Sequence, residues 1–129
     1  MKKILFLLVL AAGIFLIARP SFAHHGTAGY DMQTMGVRKS VTIVEVEWTN
    51  PHCQIHFDAT DDKGKVEHWT LEAPPPGMLQ LRNWERKSLK AGDVVTVYFH
   101  GAKSGVPVGI VQKVEFPNGD VLHAYADPN

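Results

Sequence analysis

Seven histidines stand in the chain after Ala23: His24, His25, His52, His56, His68, His100 and His123. Imidazole nitrogen suits copper, zinc, iron and nickel, and the placement of the rings decides what they can hold. The adjacent pair His24-His25 acquires special chemistry if the chain is cut before it. His24 then carries a free α-amino group, with an ordinary pKa of about 7.7–8.0. The amine and the ring of one residue can chelate one ion, and a further imidazole completes a planar nitrogen set. Tetragonal nitrogen coordination is the preference of Cu(II), which also heads the divalent affinity order. This arrangement is called a histidine brace. His25 offers a second mode, through the amine, the intervening amide nitrogen and its own ring. The three-residue amino-terminal copper motif needs histidine third, where a chain starting at His24 has Gly26.

The first 23 residues predict that cut. Lys2 and Lys3 form a positive n-region, Ile4 to Ala18 is an apolar run, and Ser21-Phe22-Ala23 puts small residues at the positions a signal peptidase inspects. The competing reading, an uncleaved anchor, needs roughly 20 apolar residues to span a bilayer, and this run is shorter, with helix-unfriendly Pro20 just ahead of the small-residue site. The expectation is an exported, periplasmic protein cleaved after Ala23, with no stable membrane insertion afterwards. From His24 onward there are ten basic and thirteen acidic residues, a formal charge of −3. Nucleic acid wants a concentrated basic face, so it is not an expected partner. Cys53 is the single cysteine and makes no internal disulfide, so the fold rests on its core.

Partners for the terminal pair come from strand phase. "CQIHFDAT" (53–60) alternates cleanly with Cys53, Ile55, Phe57 and Ala59 inward, which turns Gln54, His56 and Asp58 outward. "KVEHWTLEA" (65–73) puts Trp69 and Leu71 inward and His68, Thr70 and Glu72 outward. Opposed residues of an antiparallel pair share a face. Depending on the loop between the strands, His56 stands opposite His68 or diagonal to it. His52 shares the outward phase and ends "WTNPH" (48–52), where Asn50-Pro51 restricts the backbone. The candidate metal ligands are therefore His24 and His25, with His52, His56 or His68 completing the set. Cys53 points inward and reads as a small hydrophobe. Met32 and Met35 are soft donors suited to Cu(I), although such pairs commonly just pack. Glu45, Glu47 and Glu72 read as a solvated face, and Trp48, Trp69 and Trp84 as core. No Gly-x-Ser-x-Gly and no phosphate-cradling glycine loop is present.

The elements that must carry these residues follow one another without a repeat or long linker. Residues 24–36 lack periodicity and predict an irregular arm; residues 37–129 predict one barrel domain. In "VRKSVTIVEVEW" (37–48) the apolar phase shifts between Ile43 and Val44, which predicts a bulge. "DDKG", "KAGD" and "PNGD" are turn chemistry. "GMLQLRNWERKSL" (77–89) predicts a short helix with Met78, Leu81 and Trp84 inward, and strands follow at 94–101, 110–116 and 121–125. Three strands, a helix, then two or three strands is the order of a small OB-like Greek-key barrel, all-β, of five to six strands with a helix between the third and fourth. An immunoglobulin-like sandwich expects about seven strands and no helix there.

The chain also resembles a family of small exported bacterial proteins known only as a domain of unknown function, whose mature chains open Ala-His-His and carry a Trp/Thr-Asn-Pro-His motif. The residues that carry the resemblance are "AHH" (23–25), "YD" (30–31), "WTNPH" (48–52), "DDKGKVEHW" (61–69), "NW" (83–84), "SLKAGD" (88–93) and "NGDVL" (118–122). It implies a periplasmic location and a small β-barrel, and brings no activity with it. Gly26-Thr27 departs from the Ser-Phe usual in that family.

The resulting expectation is a periplasmic protein that binds a transition metal, copper in preference, for carriage, buffering or delivery rather than turnover. The alternative is a metal-free barrel whose outer sheet binds a periplasmic protein or a small ligand.

Overall fold

The computed structural model describes residues 26–127. The proposed signal segment, His24 and His25 lie outside them. A single 3-10 turn at Thr27–Gly29 precedes six strands: β1 (Gly36–Glu47), β2 (Cys53–Thr60), β3 (Val66–Ala73), β4 (Val94–Gly101), β5 (Val108–Glu115) and β6 (Val121–His123). A short helix, α1 (Pro76–Gln80), lies between β3 and β4. The strands run in the order β3-β2-β1-β4-β5-β6, and β3 also pairs with β5. That last pairing is parallel and closes strands β1 to β5 into a barrel, while β6 extends the sheet beyond β5. This is the OB-like topology that the element order predicts.

Three features of the chain make the closure work. The β1–β2 register slips between Ile43 and Glu45, at the shift of apolar phase, so Val41 and Ile43 point inward before the bulge and Val46 and Trp48 pack on the core after it. A second irregularity, against β4, lies between Arg38 and Val41, where Ser40 adopts a φ of 53°. At the seam, Gly109 sits opposite Leu71 of β3 and Gly101 of β4. A Cβ there would stand 2.8 Å from the His100 carbonyl oxygen and 3.0 Å from the Leu71 and Phe99 side chains. Only glycine lets the two backbones approach this closely.

The core is the set of inward residues that alternation picks out: Val41, Ile43, Cys53, Ile55, Phe57, Leu71, Val95, Val97, Val111 and Val114 are all buried. Phe57 stacks on Trp69 with ring centroids 6.1 Å apart, and Trp69 tilts against Phe99.

The helix differs from expectation. It ends at Gln80 rather than running to Leu89, and Asn83, with a φ of 64°, lies in the turns that follow. Leu79 is the residue that faces the barrel, whereas Met78 and Leu81 are 52% and 85% exposed. Pro75 and Pro76 set where the first turn begins, and that start rotates Leu79, not its neighbours, onto the core. Trp84 is buried as expected, its indole Nε1–H donating to the His123 carbonyl at 2.9 Å.

Candidate functional site

The outward phase of β2 and β3 places His56 opposite Thr70 and Asp58 opposite His68, so His56 and His68 are diagonal rather than directly opposed. His52 lies just ahead of β2, and Glu72 is paired with Gln54, one outward step beyond His56. Each histidine on this stripe meets its own carboxylate. His52 Nδ1 is 3.2 Å from Glu72 Oε1, His56 Nε2 is 3.0 Å from Glu47 Oε1, and His68 Nδ1 bonds Asp58.

These pairs differ in what they leave for a ligand. His56 uses both ring nitrogens: Nε2–H donates to Glu47, and Nδ1 is 3.0 Å from the Thr70 hydroxyl. A metal at His56 would have to displace one of these partners. The His68 side chain is 82% exposed, out on the hairpin. Among the described residues no three histidine, cysteine, aspartate or glutamate side chains gather closely enough to hold a metal ion. Cys53 is buried inside the barrel, and burial pushes its thiol above the ordinary value against weaker opposing effects of Thr49 and Arg86. It therefore does not reach the outer stripe.

His52 has a different setting. Together with Glu72 it walls a cavity of about 350 Å³ whose other sides are Gly26, Thr27, Tyr30, Ile110 and Tyr125. Ile110 is placed there by the barrel seam, since it pairs with Glu72 across the parallel β3–β5 ladder. Tyr125 follows the last strand and is held by its backbone N–H to the Gln112 carbonyl, while the Gln112 side chain donates to Ala126 O at 2.8 Å. Burial raises the Tyr125 phenol above its ordinary pKa, and the Glu72 charge raises it further, so the phenol stays protonated.

The N-terminal side of this cavity is set by a strap. Tyr30 bridges to Ala102, Asp31 N–H donates to Gly101 O, and Lys103 N–H donates to Gly29 O. The Lys103 ammonium caps Ala28 O at 3.0 Å, and the buried His100 directs Nδ1 to the carbonyls of Asp31 and Thr34, 3.1 Å from each. The Asp31 carboxyl accepts from the Gln33 and Thr34 N–H groups and is held below the ordinary aspartate range by Thr34, then Gln33. The predicted irregular arm is thus pinned, from Ala28 to Thr34, to the end of β4 and to the β4–β5 connection.

Of the five candidate ligands, His24 and His25 lie outside the described residues, His52 is in the cavity, and His56 and His68 run away from it along the sheet. Sequence reasoning read Glu72 as part of a solvated face and passed over Tyr30 and Tyr125. Glu72 was within reach, because the outward parity and either loop length set it near His52. The tyrosines join only through the strap and the segment after β6, which no local pattern reveals.

No curated protein and no solved structure matches the chain. The model of a family of unknown function (DUF6152) matches residues 12–118, which take in all five strands of the closed barrel, and the chain belongs to that family.

Proposed function

We propose that the exported chain, starting at His24, is a periplasmic copper-binding protein that carries, buffers or delivers the ion at the His52 cavity. The amine and ring of His24, with His25, supply the terminal ligands, and His52 completes the nitrogen set. The supporting observation is that Gly26 and Thr27 line the same cavity as His52 and Glu72. Consecutive Cα atoms are about 3.8 Å apart, so His25 and His24 are one and two steps from that rim. A carboxylate beside the ring nitrogen of a ligating histidine can fix its tautomer and orientation, and Glu72 Oε1 lies 3.2 Å from His52 Nδ1, at ion-pair distance.

The test is a calorimetric titration of Cu(II) and Zn(II) into protein beginning at His24, beside a form with one extra N-terminal residue and a His52→Ala variant. The expected result is copper binding tighter than micromolar, weakened about tenfold or more by the extra residue and by the substitution. If none of the forms binds copper more tightly than micromolar, the metal reading is overturned, and the outer sheet remains as a surface for a partner. If the extended form binds equally well, the amine is not a ligand.

A further inference from the structure

Around the buried side chains of Leu79, Trp84 and Leu89, residues 77–89 make an excursion that carries none of the cavity residues. Beside the exposed Gln80, Asn83 and Glu85 it carries exposed side chains of two further kinds. Met78 and Leu81 are apolar and stand three residues apart across the end of α1, on one side of the turn, with Leu81 the most exposed large apolar side chain among the described residues at 85%. Arg82, Arg86 and Lys87 are cations, and among the described residues none of them forms an ion pair. The one carboxylate of the excursion is Glu85, and the nearby Lys90 is already held by Asp93 at 2.7 Å. The chain from His24 onward is net acidic, so three cations against one carboxylate in residues 82–87, a local charge of +2, reverse the sign.

We infer that this excursion docks the barrel on an anionic membrane surface. An exposed leucine and methionine followed within six residues by three exposed cations match an interface in which the apolar tips enter the acyl boundary and the cations meet lipid phosphates. A protein partner would have to supply a pocket for Leu81, whereas a lipid surface accepts a protruding side chain as it is. The tip is anchored at several points. Trp84 and Leu89 anchor it in the core, Arg82 N–H and Trp84 N–H both donate to Leu79 O, and Glu85 N–H donates to the Ser88 hydroxyl at 2.8 Å. No helix among the described residues is long and apolar enough to cross a bilayer, so the contact would be peripheral.

The experiment is vesicle flotation with protein beginning at His24, on phosphatidylcholine vesicles with and without an equal share of phosphatidylglycerol, across a salt series. Expected are association with the anionic vesicles alone, decline with salt, and a loss of about fivefold in affinity per cation removed. R86E/K87E should therefore weaken association at least about twentyfold, and Leu81→Asp about tenfold. The pair K63E/K65E, which makes the same change of net charge on the exposed β2–β3 turn, should leave association nearly unchanged. All of these residues are exposed, and circular dichroism checks that each variant is folded. Failure to float with anionic vesicles at low salt overturns the proposal, and is the result an acidic protein partner would give. Equal association with both lipids, or an equal loss in K63E/K65E, overturns it as well.

Discussion

His52 Nδ1 lies 3.2 Å from Glu72 Oε1, and the two residues share a cavity wall with Gly26 and Thr27, where the strapped arm enters the fold. This relationship separates His52 from the other two histidines of its stripe, whose carboxylates hold them on the open sheet.

Glu72→Gln retains the shape of the pair but removes its charge. If Glu72 orients His52 for copper, the substitution weakens Cu(II) binding about 10- to 100-fold, as loss of an outer carboxylate does at other histidine sites. The partly exposed pair contributes little to folding, so the midpoint of urea unfolding should barely move. Calorimetry and urea titration on the same preparation check both expectations.

Cys53 should be silent toward thiol reagents in the native protein. Its side chain is 1% exposed and burial pushes its thiol up, so the reactive thiolate is both scarce and inaccessible near neutral pH. Labelling with an aromatic disulfide reagent should be at least about a hundredfold slower than in denaturant, since it must await opening of the core. Labelling at comparable rates in both states would show that β2 does not stay in place.

Asp93 gives the fold an acid dependence of known sign. Partial burial pushes its carboxyl up, but hydrogen bonds from the Lys90 N–H at 2.9 Å and ammonium at 2.7 Å, with the Lys90 charge, prevail and hold it below the ordinary range. A carboxyl with a depressed folded pKa adds stability that is full above its unfolded value of about 3.9 and is lost as pH falls through the folded value. Asp93→Asn should therefore cost up to about 1 kcal/mol at neutral pH, and less at about pH 2. Urea unfolding at the two pH values measures the difference.

Gly109→Ala tests the seam. The added Cβ meets the His100 carbonyl at 2.8 Å, a backbone atom that cannot swing aside, so β5 must move away from β3 or β4. A loss of about 1–3 kcal/mol is expected. Amide exchange should rise first at Thr70 and Glu72, which border the parallel ladder.

Much of this fold is readable from period-two alternation. Cys53, Ile55, Phe57 and Ala59 are inside because each Cβ on a strand faces opposite to the next, and the phase break after Ile43 is the bulge itself. The helix was less readable. A segment of one and a half turns has too few positions to fix its phase, and tertiary anchoring at Leu79, Trp84 and Leu89 decided which apolar residues were left outside. The site was legible only as a stripe. Alternation says that His52, His56 and His68 share a face, but not which carboxylate each will meet, nor that the arm, the seam residue Ile110 and Tyr125 converge on the first of them.

The bulge at Val44 separates two properties that usually travel together. Without that one residue β1 would alternate regularly, with Val41, Ile43, Val46 and Trp48 still on one face, so its apolar pattern would survive intact. The corner would not, because the extra residue is what bends the strand between its partners β2 and β4. A chain shortened at Val44 would thus keep a correct local code while losing curvature. The β3 and β5 edges that now satisfy each other would stand open, each ready to template a neighbouring molecule. One half-exposed valine thus joins the Ser40 irregularity and Gly109 in keeping the protein's sheet to itself.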